Sequence, residues 1–127
     1  PGLSGEVVFD FSNNDGKYVV GAGDMAFETM WSSGGNTSVH AYRDAPSIRT
    51  VALALGASNI DEISDAASYD TSSRARKPLV GEIVVWQNTS GYYLATKIER
   101  AAARSHGSER DEVVFTYRIA SNKGTSF

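Results

Sequence analysis

The stretch Val80-Gly81-Glu82-Ile83-Val84-Val85-Trp86-Gln87 decides the fold class of this chain. It is short, strongly apolar and rich in β-branched residues, a composition typical of a buried strand. Asn88-Thr89-Ser90-Gly91 follows with residues that favour a turn, and Tyr92 to Glu99 returns as a second apolar segment. The sequence therefore predicts an antiparallel strand pair over 80–99.

Strand-like segments extend from this pair in both directions. Towards the C-terminus, Asp111 to Ile119 alternates, with Val113, Phe115 and Tyr117 on one side. Towards the N-terminus, segments 6–11, 17–20, 25–31 and 38–43 are separated by short glycine- and asparagine-rich turns, which predicts a four-stranded meander that begins with a hairpin at 13–16. Residues 48–55 are predicted to form a further strand with apolar residues at every second position, although Ala52 and Ala54 also suit a short helix.

About eight strands joined mainly by short turns predict an all-β, mainly antiparallel fold, either a sandwich or a partly open barrel. The 127 residues have the usual size of one domain, so we expect 1–127 to be a single β domain. Because the chain begins with Pro1, we interpret it as a fragment of a longer protein. Residues 56–79 form one long polar crossover that holds at most a short helix; we expect a partly mobile surface there and a frayed tail over 121–127.

The composition excludes several kinds of chemistry and partner. The chain has no cysteine, which removes disulfides, thiolate catalysis, zinc–thiolate sites and iron–sulfur clusters. A net charge of −3 argues against nucleic-acid binding through phosphate contacts. The longest apolar run, 51–55, is far shorter than the roughly 20 residues of a membrane-spanning helix. We therefore expect a cytoplasmic protein with no membrane partner.

Catalytic, metal and cofactor motifs are not recognisable. His40 and His106 are the two histidines, and neither lies in a nucleophile motif. The oxygen-rich segment 10–16 resembles a calcium loop, but its glycine is out of register and strands are predicted on both sides. There is no phosphate-binding glycine loop, so the sequence indicates no metal site and no cofactor.

Basic and aromatic residues supply the candidate binding positions. Arg74, Arg76 and Lys77 follow two serines in the long crossover, where arginine forks could hold an anion. The aromatic candidates are on predicted strands or at turn edges, where outward-facing rings stack on ligands or anchor protein interfaces. The candidate set for a ligand or partner is Trp31, His40, Tyr42, Arg74, Arg76, Lys77, Trp86, Tyr92 and Tyr93.

Three stretches together resemble an uncharacterised β-rich module of bacterial multidomain proteins, some of which carry TIR-type effector domains. They are residues 9–16, residues 27–32 with 36–42, and residues 80–85 with Gly91-Tyr92-Tyr93. The resemblance spans residues 6–119 and carries over no functional residue. It implies an accessory domain that senses a ligand or docks to an effector elsewhere in the parent chain.

The leading hypothesis is a non-catalytic accessory domain that binds a small ligand, a protein partner or a companion domain of the same chain. A homo-oligomer joined along an exposed sheet edge is a variant of this hypothesis. Two alternatives stay open. One is a carbohydrate-binding β-sandwich that stacks sugars on Trp31, Tyr42 or Trp86; the other is a small hydrolase that uses His40 with Asp10 or Glu28.

Overall fold

The computed structural model describes residues 3–127, which form nine strands in two antiparallel sheets. The five-stranded sheet has the order β1-β9-β8-β7-β5, and the four-stranded sheet has the order β2-β3-β4-β6. The predicted all-β, mainly antiparallel fold is confirmed, and its architecture is a sandwich. The strands are β1 (Ser4–Phe9), β2 (Lys17–Val20), β3 (Phe27–Ser33), β4 (Val39–Tyr42), β5 (Ile48–Leu53), β6 (Ala75–Arg76), β7 (Ile83–Asn88), β8 (Tyr93–Ala102) and β9 (Glu112–Ile119).

The main core lies between the two sheets, where alternate residues of each strand point inward. In β3, Phe27, Thr29 and Trp31 are buried while the residues between them are half-buried. Trp31 meets Trp86 of the opposite sheet edge to face, with ring centroids 5.3 Å apart. Phe115 of β9 completes this aromatic centre.

The first predicted hairpin is wrong, although the rest of the meander is confirmed. Strands β2, β3 and β4 pair in sequence, but β1 belongs to the other sheet and pairs with β9, placing Val7 opposite Phe115. The intervening turn has three successive residues with positive φ, from Asn14 to Gly16. A Cβ on Gly16 would lie 2.3 Å from the carbonyl oxygen of Trp31, so the turn lies against β3 and leads the chain from one sheet to the other.

The long polar crossover, residues 56–79, holds no helix beyond short 3-10 turns, as predicted, and part of it packs on the five-stranded sheet. It contains two short 3-10 turns, Ile60–Glu62 and Ala66–Ser68. Buried side chains of these turns and of Ile63 cover the outer face of the five-stranded sheet. Ile60, Ile63 and Ala66 of the crossover form a second core together with residues of β7 and β8, which are Ile83, Val85 and Ala95.

The crossover also supplies the one strand that the sequence did not predict. Strand β6 pairs with β4, and backbone hydrogen bonds extend the pairing on both sides. Arg43 N–H donates to the Arg74 carbonyl at 3.0 Å, and Val80 N–H donates to the Thr37 carbonyl at 2.9 Å. Residues 74–80 therefore follow β4 closely before the chain enters β7 in the other sheet.

The last three residues are docked, which contradicts the predicted fraying. Ala66 N–H donates to the Thr125 carbonyl at 2.7 Å, and Phe127 N–H donates to the Ile63 carbonyl at 3.2 Å. The Phe127 side chain packs against the second core. The tail and the crossover thus form one layer over the five-stranded sheet.

Candidate functional site

The outer faces of the two sheets differ in how far they are covered. On the five-stranded sheet, Ile83 and Ala95 are completely buried beneath the crossover layer. On the four-stranded sheet, the outward residues of β3 and β4 are half-buried. We call this second surface the open face, and it comprises Lys17, Val19, Glu28, Met30, Ser32, His40 and Tyr42, with Asp44 and Arg74 at its margin.

Strand register brings the open-face residues together. The pairing of Lys17 with Met30, of Met30 with Tyr42, and of Tyr42 with Ala75 makes one row of side chains across all four strands. Since successive side chains on a strand alternate between faces, this row lies on the outer face of the sheet, where Met30 also packs against the margin of the main core. A second pair lies beside the row, formed by Ser32 and His40.

Tyr42 is held at the centre of the open face by two polar neighbours, Ser32 and Arg74. Its hydroxyl lies 2.7 Å from the hydroxyl of Ser32. The Arg74 guanidinium lies over its ring, 5.2 Å from the centroid, a cation–π geometry. Arg74 in turn donates from Nε and Nη2 to the two carboxylate oxygens of Asp44, both at 2.7 Å. These hydrogen bonds lower the pKa of Asp44, and the same contact raises that of Arg74.

One ring nitrogen of the half-buried His40 is hydrogen-bonded to the backbone. Its Nδ1 lies 3.0 Å from the carbonyl oxygen of Ser33, and its ring centroid lies 6.1 Å from that of Tyr42. A carbonyl oxygen only accepts hydrogen bonds, so Nδ1 carries the proton. In the neutral imidazole, Nε2 is therefore left as an acceptor.

The charged side chains of the open face are paired within the face. Lys17 Nζ donates to Glu28 Oε1 at 3.2 Å, and the Ser47 hydroxyl donates to Glu28 Oε2 at 2.5 Å. The Ser47 hydrogen bond, followed by that from Lys17, lowers the pKa of Glu28. With Arg74 bound to Asp44, the centre of the face is left to neutral groups.

Three of the sequence-predicted candidates, His40, Tyr42 and Arg74, meet on the open face. Two others do not, because Trp31 is 2% exposed and Trp86 is 0% exposed. Their indole N–H groups are satisfied inside the core, by Thr29 Oγ1 at 2.8 Å and Thr96 Oγ1 at 3.0 Å. In this fold neither tryptophan offers a surface to a ligand.

The remaining candidates lie elsewhere. Arg76 is half-buried at the edge of the sandwich, and its Nη2 donates to the Asp70 carbonyl at 2.6 Å. Lys77 is exposed beside it. Tyr92 lies under the ammonium group of Lys123, 5.6 Å from its ring centroid. Tyr93 packs against the second core. The basic cluster 74–77 is thus divided between two surfaces.

The groups proposed for a hydrolase are not assembled around His40. Among residues 3–127, no carboxylate lies within ion-pairing distance of either imidazole. Asp10 accepts hydrogen bonds from Ser12, which lower its pKa, and Glu28 is held by Ser47 and Lys17. Glu28 is four residues along β3 from Ser32, the partner of His40, a distance of about 13 Å along a strand.

Met30, Ser32 and Asp44 contribute to the open face but were not predicted as site residues. The signal available was the alternation in 25–31 and 38–43, which separates their two faces. That alternation does not show which face another segment covers.

Across residues 3–127 there is no cluster of three or more acidic or histidine side chains that could hold a metal ion. No helix in this same range has the length and apolar character needed to cross a membrane.

Comparison of the chain with protein-family models, with curated protein sequences and with solved structures found no significant match.

Proposed function

We propose that this chain is a non-catalytic accessory domain of a cytoplasmic, multidomain bacterial protein, and that it binds a companion protein domain through the open face. The observation that carries the proposal is the contrast between the two sheets. On the five-stranded sheet the crossover layer covers the apolar outward residues of β7 and β8, whereas on the four-stranded sheet no such layer from residues 3–127 covers Met30, His40 and Tyr42.

A protein surface is the occupant that this composition fits. The centres of protein interfaces are enriched in tyrosine, methionine and arginine and depleted in lysine and acidic residues. On the open face, Met30 and Tyr42 are adjacent, and Arg74 lies over the tyrosine ring with its charge matched by Asp44. Tyr42 is already fixed by Ser32 and Arg74, so little side-chain entropy is lost when a partner covers it.

The buried tryptophans weigh against the carbohydrate alternative. Sugar-stacking sites need an accessible ring face, and Trp31 and Trp86 lack one. Tyr42 remains accessible, but the Arg74 guanidinium lies over its ring. The hydrolase alternative likewise loses the carboxylate partners it required, because Asp10 and Glu28 are bound elsewhere.

The test is an NMR titration of the ¹⁵N-labelled chain with the other domains of its parent protein, expressed separately. We expect the amide signals of β3 and β4 to shift, and Tyr42→Ala to weaken binding about tenfold or more, as removal of a central interface tyrosine does. Arg49→Ala, an exposed arginine of β5 in the other sheet, is the matched control and should bind normally. Shifts confined to the five-stranded sheet, or a parent protein without any further domain, would overturn the proposal.

A further inference from the structure

A cleft of about 460 Å³ lies on the outer face of the five-stranded sheet. Strands β1, β9 and β8 provide its floor, and the turn at 59–61 forms one wall. The chemistry-bearing side chains that line it are Asn59, Asp61, Lys97, Glu99, Thr116 and Arg118. The cleft is separate from the open face and was not predicted from the sequence.

Two cations in this cleft have no acidic partner within ion-pairing distance in the described chain. Four lysine or arginine residues among 3–127 are half-buried, and two of them are paired: Lys17 with Glu28 at 3.2 Å and Arg76 with Asp70 at 3.5 Å. The other two are Lys97 and Arg118, and neither has a carboxylate within 4.0 Å in the described chain. Both line the same cleft.

The sheet register places these two cations close together. Lys97 is opposite Thr116, and Arg118 is two residues further along β9, so the pair is diagonal on one face. Diagonal neighbours have Cα atoms about 7–8 Å apart, within reach of one small ligand. Lys97 Nζ has one weak contact, with Asn59 Oδ1 at 3.4 Å. Partly desolvated like charges at this separation disfavour the empty state, and a bound anion would offset that cost.

We propose that this cleft binds a small organic carboxylate between Lys97 and Arg118. The Arg118 fork matches a carboxylate group, and Lys97 adds a second positive charge. Four acids limit the charge of the ligand. Glu99 and Asp61 line the cleft, and Glu6 of β1 is opposite Thr116. Glu62 is close enough for the charge of Lys97 to act on it. These carboxylates would repel a multiply charged phosphate, so a singly charged ligand is favoured.

The first experiment compares two probes of nearly equal shape by NMR. Butyrate should give saturable shifts of the amide signals of Asn59, Lys97, Thr116 and Arg118, whereas the neutral butyramide should not. Inorganic phosphate should bind more weakly than butyrate. Equal shifts with butyramide, tighter binding of phosphate, or no saturable shift in the cleft would each overturn the proposal.

The second experiment uses variants with two readouts. Arg118→Gln should weaken butyrate binding about 10- to 100-fold, the usual effect of losing a charged hydrogen bond. It should leave the melting temperature of the unliganded chain unchanged or higher, because no ion pair is lost. Arg49→Gln, an exposed arginine outside the cleft, should change neither value. If Arg118→Gln lowers the melting temperature and leaves butyrate binding intact, Arg118 has a structural role and the proposal fails.

Discussion

The ring of Trp31 in β3 stacks on the ring of Phe115 in β9, with centroids 5.0 Å apart and an angle of 26° between the planes. Because β3 and β9 belong to different sheets, this contact joins the two layers of the sandwich. The indole Nε1–H donates to Thr29 Oγ1, and that hydroxyl donates to the Tyr18 carbonyl at 2.6 Å. One buried threonine therefore satisfies polar groups from two other core residues.

Thr29→Val should destabilise the chain by about 1–3 kcal/mol, since it leaves the indole N–H of Trp31 and the Tyr18 carbonyl without their partner in the core. The substitution keeps the side-chain shape, so little of the loss comes from packing. Urea denaturation followed by tryptophan fluorescence measures the change. Thr29→Ser retains the hydroxyl and serves as the control. Equal stability of the valine and wild-type chains would contradict this hydrogen-bond assignment.

Phe127→Ala should lower the free energy of unfolding, by up to about 2 kcal/mol for a half-buried aromatic ring. The reason is that this ring packs on the second core and its backbone binds Ile63. Hydrogen exchange gives a more specific readout, because the Ala66 amide donates to the carbonyl of Thr125, which lies two residues before Phe127. That amide should exchange faster in the variant. Lys123→Ala, exposed in the same tail, is the control, and identical exchange in both variants would show that the tail does not cover the crossover.

Asn36→Ala should release the loop that follows β8. The Asn36 side chain donates from Nδ2 to the His106 carbonyl at 2.9 Å, and its Oδ1 accepts from Ala103 N–H at 2.9 Å and from the Ser108 hydroxyl at 2.7 Å. Loss of all three bonds should increase the fast backbone motion of residues 104–110, measured by ¹⁵N relaxation. Asn122→Ala, in another surface turn, should leave these residues unchanged. An equally rigid loop in Asn36→Ala would show that other contacts hold it.

Acid should weaken the fold through Glu28 and Asp44. Hydrogen bonds from Ser47 and Lys17 lower the pKa of Glu28 from 4.5, and those from Arg74 lower the pKa of Asp44 from 3.8. Unfolding restores the ordinary values, so the unfolded chain binds more protons in this range. The stabilisation is present above the ordinary pKa values and is lost as the pH falls through the lower, folded-state values.

Urea denaturation along a descending pH series tests this dependence. Glu28→Gln together with Asp44→Asn should flatten the acid limb of the stability curve. Both pairs are partly exposed, so added salt should also reduce the effect in the wild-type chain. An acid limb of unchanged steepness in the double variant would place the responsible carboxylates elsewhere.

Period-two alternation was enough to predict the strands that have one face in the core. It identified β3, where buried and half-buried residues alternate up to Trp31, and also β9, although Val114 is buried there as well as Val113 and Phe115. It could not identify β6, because a two-residue strand within a polar segment has no periodicity. Nor could it assign β1 to the sheet of β9, since that pairing depends on contacts between the two ends of the chain.

Only part of the candidate site was predicted correctly, and the limits of period-two alternation explain this as well. His40 and Tyr42 share a strand face, and alternation shows this directly. Alternation does not show whether a face is turned to the core, and for that reason Trp31 and Trp86 were candidates although they are buried. The second core was missed because its crossover residues Ile60, Ile63 and Ala66 recur at every third position, a spacing that indicates a short helical turn but does not show which sheet face that turn covers.

The pairing of β1 with β9 has a consequence for how the protein is made. Within this domain β1 is synthesised first, and its partner β9 follows only after about 100 further residues, which takes roughly 5–20 s. Until then Val7 and Phe9 lack the strand beside which they are buried, and the nascent chain exposes apolar segments that chaperones recognise. The domain therefore completes its core after synthesis of its last strand, and its yield in the cell should depend on protection during that interval.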